Sequence, residues 1–347
     1  MRIATVVGAR PQFVKAAPMS VELSRCGIKE IGIHTGQHFD ENMSGVFYRE
    51  LGIPKPEHML NINGGSHGEM TGRMLTAIES VLLESRPDAM LVYGDTNSTL
   101  AGALAAVKLH IPVIHVEAGL RSFNRSMPEE INRVLTDHMS ALLFCPTTAS
   151  VSNLADEGIT NGVHNVGDIM YDATLKMTPI ALRSSRVLDR LNLAPKSFCL
   201  ATIHRAENTD SPKALRAATD YLKEIAAGLH VVLPLHPRTR SAVEKVGISL
   251  DATNISVVEP LSYFDMQVLL SVASLVVTDS GGAQKEAYFH RVPCVTMRSE
   301  TEWVETIESG WNRLWIGPDY HERRDIDEYG VGQTAKLITQ IIQKTFQ

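Results

Sequence analysis

Short apolar runs and longer amphipathic stretches alternate along the whole chain. In the first half the apolar runs are Ile3–Val7, Ile31–Thr35, Met90–Tyr93, Val113–Val116 and Leu142–Cys145. They are largely apolar throughout, as strands buried on both faces are. Between them lie helical patterns, for example Met70–Glu84 and Ser98–Leu109. There the apolar residues recur at helical spacing. The pattern restarts in the second half, with Cys199–Ile203, Val231–Leu235, Ile255–Val258, Leu275–Thr278, Cys294–Thr296 and Leu314–Ile316 as the apolar runs. Strands alternating with helices predict an α/β class with a parallel sheet covered on both faces. Two such series predict two Rossmann-like, doubly wound domains with a break near Asn165–Asp172. The first covers residues 1–166 and the second 167–332. A last helix, about Gln333–Thr345, could pack on either.

Length supports this division, because 347 residues exceed the usual single core. A hydrophobic content of 44% with 21% charged residues is ordinary for a globular protein. A formal net charge of -6, with no basic run beyond two residues, argues against a nucleic-acid surface. Cys26, Cys145, Cys199 and Cys294 are far apart and form no CxxC. Three of them sit in apolar runs, which predicts buried free thiols in a reducing cytoplasm. The opening MRIATVVGAR reads as a strand, too short in its apolar part for a signal peptide. No stretch approaches the ~20 apolar residues of a membrane span.

The chemistry gathers where strands end. VVTDSGGAQKEAYF, residues 276–289, reads as a buried strand, a tight turn and a helix opening at Ala283. Adjacent Gly281 and Gly282 permit close backbone approach to a ligand. The helix start behind Ser280 offers unpaired N–H groups and a positive dipole end, which suits a phosphate. Glu286 sits one turn in and suits a ribose diol, since a carboxylate can accept from two hydroxyls. Other strand exits carry Gly8 and Arg10, with Lys15 a turn later; Gln37 and His38; Asp95; Glu117; His204; His236; and Arg298 with Glu302. Glu129 and Arg133 open the helix after Pro128. Ligands of such sheets bind beyond the carboxyl ends of the strands, and in a two-domain version those edges would face each other across a cleft. Simpler roles are open to several of these residues. Asp95 could cap the helix from Thr96, Arg133 could pair with Glu129 at i+4, and His204 could be structural. His115, inside a strand, is expected to be structural, and Trp303 to be a packing residue. Glu117 has no capping role where it stands, so an inward, reactive carboxylate is expected there. No GxGxxG follows a strand and no Walker motif occurs, so no nicotinamide cofactor is expected. Histidine and aspartate spacings suggest no metal set, so no metal is expected either.

These segments, taken in order, resemble a known family. GARPQFVKAAP, GDTNSTLAGALAA, HVEAGLRS, MPEEINR, LATIHRAEN, LPLHPRT, VVTDSGGAQKEA and TMRSETEWVE are similar to motifs of the non-hydrolysing UDP-N-acetylglucosamine 2-epimerases, over about residues 1–320. The resemblance implies a GT-B-type pair of Rossmann-like domains, with the C-terminal helix crossing back to the first. It implies a cytoplasmic homodimer that takes a UDP-sugar and serves cell-surface polysaccharide synthesis. It matches Asp95, Glu117, Glu129, Arg133 and His204 to the catalytic set. Arg10, Lys15 and His236 match residues near the nucleotide phosphates, and Ser280, Gly281, Gly282 and Glu286 match the UDP segment. Arg298 and Glu302 are candidate sugar contacts. Gln37 and His38 match a motif linked in bacterial members to a regulatory UDP-sugar site. Ser122–Met127 is shorter than in many members, Ala206 stands where a second arginine is common, and TEWVE replaces TERPE. GGSHGEMTGRML replaces a basic stretch. These departures resemble the branch acting on UDP-2,3-diacetamido-2,3-dideoxyglucuronate.

The implied chemistry explains the residue types. C2 of an N-acetylhexosamine is not next to a carbonyl, so its proton is not acidic. Expelling UDP from C1 builds oxocarbenium character there and acidifies C2–H. A carboxylate can then take that proton, leaving a 2-acetamidoglucal to which UDP re-adds. Two other readings share the nucleotide cradle: a GT-B-type glycosyltransferase and a non-catalytic UDP-sugar sensor. The ring of acidic groups favours the epimerase.

Overall fold

The computed structural model describes residues 1–37, 48–250 and 253–346. The chain forms two compact units, Met1–Leu175 with Asp327–Gln347, and Lys176–Ile326. The division falls after Leu175, within the helix Ile169–Ser184, rather than after residue 166.

The first unit holds β1 Arg2–Val7, β2 Lys29–His34, β3 His58–Met59, β4 Ala89–Tyr93, β5 Val113–Val116, β6 Leu142–Cys145 and β7 Val163–Asn165. Their order is β3-β2-β1-β4-β5-β6-β7, and every neighbouring pair is parallel. The apolar runs form strands because both faces are covered: all five residues of β4 are fully buried. On one face the helices His67–Ser85 and Asn97–Lys108 bring Met74, Ile78 and Ala103 against Val6 and Val92. Ser66 and Thr96 cap these two helices, accepting from Glu69 N–H and Thr99 N–H, which satisfies donors otherwise left open.

The second unit holds β8 Phe198–Thr202, β9 His230–Pro234, β10 Ile255–Val258, β11 Leu275–Thr278, β12 Cys294–Thr296 and β13 Asn312–Leu314. Their order is β10-β9-β8-β11-β12-β13, again all parallel. In each sheet the order reverses next to its first strand, between β1 and β4 and between β8 and β11. That is the position where doubly wound sheets open a crevice for ligands.

The C-terminal helix Thr334–Phe346 packs against the helix Arg10–Arg25 of the first unit. Asp172 anchors its start by accepting from the N–H groups of Thr334 (3.1 Å) and Ala335 (2.8 Å). Ile338 and Ile342 are fully buried.

Four elements depart from the sequence pattern. β3 and β7 are two and three residues long, too short to show a period. β13 runs Asn312–Leu314 instead of Leu314–Ile316, and Ile316 is 83% exposed. Buried Asn312 is tolerated there because its amide is satisfied by Thr296, Gln284 and Thr306. The helix expected from Ala283 begins at Gly281, with Ser280 as its cap.

Candidate functional site

In the first unit, Gln12 fixes the crevice floor. Its side-chain oxygen accepts from the N–H groups of Gly8 (2.8 Å) and Ala9 (3.1 Å). Its amide donates to Tyr93 O (3.1 Å) and Thr99 Oγ1 (3.0 Å). The exits of β1 and β4 are thereby tied together. Sequence reasoning passes over Gln12; its place two residues after Arg10 in the first helical turn is the signal that could find it.

Lys15 and Glu117 meet across this crevice as a buried ion pair. Glu117 follows β5 with φ 71°, a left-handed conformation uncommon for a non-glycine residue. It turns inward as its lack of a capping role suggests. Lys15, expected near a diphosphate, donates to this carboxylate. Gly94 explains how the pair fits: a Cβ there would lie 3.0 Å from Lys15 Nζ and 3.3 Å from Glu117 Oε1. Its φ of 60° also favours glycine.

Asp95 follows Gly94. It does not cap the next helix; Thr96 does. Asp95 Oδ2 accepts from Arg133 Nε (3.1 Å) and Nη2 (2.8 Å), while Asn132 donates to Asp95 O (2.9 Å). Arg133 also donates from Nη1 to Glu130 at 2.8 Å, so it spans two carboxylates. Glu129 is half-buried in the first turn of the helix Pro128–Met139. Its neighbour Glu130, which sequence reasoning does not single out, is 2% exposed. It holds the loop by accepting from Ser122 N–H and Phe123 N–H, both at 2.9 Å.

Behind these groups His115 bridges Asp137 (2.7 Å) and Gly94 O (2.8 Å). Asp137 also accepts from Gly119 N–H (3.1 Å) and Arg121 (2.7 Å). Burial alone would raise the Asp137 pKa, but His115 and Arg121 prevail and hold it below the usual carboxylate value. His115 thus has the structural setting its position predicts, and it supports the loop that carries Asp95.

Gln37 accepts from Ser98 N–H (3.2 Å) and Ser98 Oγ (2.8 Å), which ties the β2 exit to the next helix. His38 lies outside the described residues. One HxxxH spacing does occur, His34 to His38, but His34 is the last residue of a strand rather than part of a helix. Among the described residues no group of three or more His, Cys, Asp or Glu could hold a metal ion.

In the second unit, the crevice between β8 and β11 holds His204 and Asp279, with Nδ1 and Oδ1 3.1 Å apart. Asp279 is fully buried. It also accepts from His204 N–H (3.0 Å), Arg205 N–H (3.0 Å) and Asn208 Nδ2 (3.0 Å). Burial would push its pKa up, but the His204 charge and these hydrogen bonds outweigh burial and hold it at about 2. The His204 side chain remains 38% exposed, so pairing leaves part of the ring accessible. His236 stands with its ring centroid 6.0 Å from that of His204. It caps the helix Pro237–Val246, its Nδ1 accepting from Arg238 N–H at 3.2 Å.

Ser280 caps the helix Gly281–Phe289, accepting from Ala283 N–H at 3.5 Å. Gly281 lies close against its neighbour: a Cβ there would stand 2.6 Å from Glu302 Oε1, and that carboxylate would have to shift. Glu302 is ion-paired with Arg298 at 2.8 Å, and both side chains are buried. Gly282 and Glu286 follow in the first turns, each half-buried. Glu286 Oε1 accepts from Gln267 Nε2 at 2.5 Å. Arg10 opens its helix in the first unit, half-buried. All four cysteines are free, three of them buried, and among the described residues no helix is long and apolar enough to cross a membrane.

Comparison with known proteins gives these sites a context. The family model described as UDP-N-acetylglucosamine 2-epimerase matches residues 22–343. The UDP-2,3-diacetamido-2,3-dideoxy-D-glucuronate 2-epimerase of Pseudomonas aeruginosa is 52% identical, with 99% of this chain and 100% of that protein covered. A UDP-N-acetylglucosamine 2-epimerase homolog of Methanococcus maripaludis is also 52% identical, covering 90% of this chain and 88% of that one. Among solved structures, the Methanocaldococcus jannaschii UDP-GlcNAc 2-epimerase in complex with UDP-GlcNAc and UDP superposes with a TM-score of 0.93. It is 40% identical, with 99% and 100% of the two chains covered.

Proposed function

Because the chain belongs to the UDP-N-acetylglucosamine 2-epimerase family, we propose that it interconverts UDP-GlcNAc and UDP-ManNAc by expelling and re-adding UDP. The observation that carries this reading is the pairing of Glu117 with Lys15 beside Gly94, next to Asp95 held by Arg133. It offers carboxylates held at the strand exits of one sheet, as proton abstraction and return at C2 require. Asp95, Glu117 and Glu129 supply acid and base, and Arg133 and Lys15 hold the carboxylates in place. In the second unit the N-terminus of Gly281–Phe289, with His204 and His236, takes the departing diphosphate. Glu286 takes the ribose, and Arg298 and Glu302 support the sugar side. The route passes through a 2-acetamidoglucal and needs neither nicotinamide nor metal. The enzyme acts as a cytoplasmic homodimer in this reading. Its free, buried cysteines support a reducing compartment, and sedimentation would check the dimer.

A second reading, UDP-2,3-diacetamido-2,3-dideoxyglucuronate as substrate, is favoured by the full-length 52% identity to the Pseudomonas aeruginosa enzyme. A buried C6 carboxylate needs a cationic partner. Arg73 is a poor one, because it already donates to Asn63 O (3.1 Å) and Gly64 O (2.5 Å). Arg125 is exposed and remains the better clamp. Incubating the protein with each sugar nucleotide, without acceptor, tests both readings. A C2 epimer from UDP-GlcNAc supports the first, and a strong preference for the uronate that Arg125→Met abolishes supports the second. Hydrolysis or no change with either sugar would overturn both.

A further inference from the structure

The proposed ribose carboxylate, Glu286, does not stand alone. Gln267, fully buried on the helix Tyr263–Val272, donates to its Oε1 at 2.5 Å. The other end of that amide, Gln267 Oε1, faces two donors: His290 Nε2 at 3.0 Å and the Thr178 hydroxyl at 3.4 Å. An amide with its oxygen engaged by donors must turn its NH2 the other way. His290 follows the helix Gly281–Phe289 as its C-cap. Burial of its ring, and then Lys196, push it down to about 4, so near neutrality it is an uncharged imidazole. With its Nε2 facing an acceptor, that neutral ring carries its hydrogen there. The order His290 to Gln267 to Glu286 therefore has one direction, and all four residues lie in the second unit.

We propose that Gln267, oriented by His290 and Thr178, is a positioning and specificity-determining residue that aims Glu286 at the two hydroxyls of a nucleotide ribose. The proposal rests on the UDP reading above. A carboxylate able to rotate would accept from one hydroxyl at a time. Held by a buried amide, it keeps a fixed fork, so discrimination between ribose and its dideoxy analogue depends on a residue that never touches the nucleotide.

The test is calorimetric binding of UDP and 2′,3′-dideoxy-UDP to the full chain. The native protein should prefer UDP. Gln267→Met should reduce that preference about tenfold, the scale of one well-aimed hydrogen bond to a charged group, while the affinity for 2′,3′-dideoxy-UDP stays unchanged. His290→Phe, at a half-buried site, should give the same change in smaller measure and serves if Gln267→Met folds poorly. Equal loss of both ligands in the two variants would mean a merely structural role and overturn the proposal. So would an unchanged preference in both, when Glu286→Gln abolishes it. If the native protein bound the two nucleotides equally, the ribose role of Glu286 would fall first.

Discussion

The two units share one strand order, β7 at the edge of the first sheet aside, but equip their crevices differently. At the β1–β4 crevice the chemistry is carried by side chains already paired: Lys15 with Glu117, and Arg133 with Asp95 and Glu130. At the β8–β11 crevice it is carried by a capped helix start, beside which Glu302 is paired with Arg298, and by buried Asp279, held down by His204 and by hydrogen bonds. Pairing buried charges limits the cost of desolvating them, so the first unit can keep several carboxylates where, in the proposed reaction, a proton must move. A helix N-terminus offers N–H donors to an anion, and in the proposed reaction that of Gly281–Phe289 receives the diphosphate that leaves and returns. Under the proposed function, one topology thus supports an acid–base device in one half and an anion cradle in the other.

The largest effect that would break this contrast lies in the first unit. Asp95→Asn or Glu117→Gln should lower kcat by ~100- to 10,000-fold and leave UDP affinity nearly intact, measured by steady-state kinetics and calorimetry. Lost UDP affinity on that scale would erase the distinction between the halves. The converse change is Gly281→Val. Its side chain must enter space where Glu302 Oε1 stands 2.6 Å from the Cβ position, so it should weaken UDP binding more than tenfold. Unchanged UDP affinity in that variant would remove the helix start from the anion site.

Acid titration sharpens the account of Asp279. Its pKa is about 2 in the fold against about 3.9 when unfolded. The resulting stability is complete above the unfolded value and disappears as pH falls through the folded one. Denaturant unfolding should therefore show about 2 kcal/mol lost between about pH 4 and pH 2, a loss that Asp279→Asn should lack. The smallest effect is expected for Ser280→Ala, which removes a helix cap worth about 1 kcal/mol. Its melting midpoint should fall by a few degrees, with kcat unaltered at saturating UDP-GlcNAc.

Much of this is legible in the chain because strands buried on both faces leave continuous apolar runs. Val113–Val116, Leu142–Cys145 and Leu275–Thr278 have the same bounds in the pattern and in the fold. Elements that obey other rules are hidden. β3 and β7 are too short for a period. Asn312 is a strand residue only because three partners satisfy its amide. Gly281 enters the helix because Ser280 can cap it. Position in the pattern points to Asp95, Glu117 and His204, since a charged group at the end of a buried strand is costly unless a partner or ligand meets it. It cannot reveal which charges meet. Lys15 pairs with Glu117 from 102 residues away, and Gln12, Glu130 and Gln267 act through hydrogen bonds that no local spacing encodes.

The central claim is that a side chain of this protein removes the C2 proton while UDP is detached. Turnover of UDP-GlcNAc in heavy water, followed by proton NMR and mass spectrometry, addresses it directly. The account predicts one deuterium at C2 of the epimerised sugar, with free UDP and 2-acetamidoglucal accumulating slowly and no added cofactor. Epimerised product that keeps its original C2 hydrogen would contradict it.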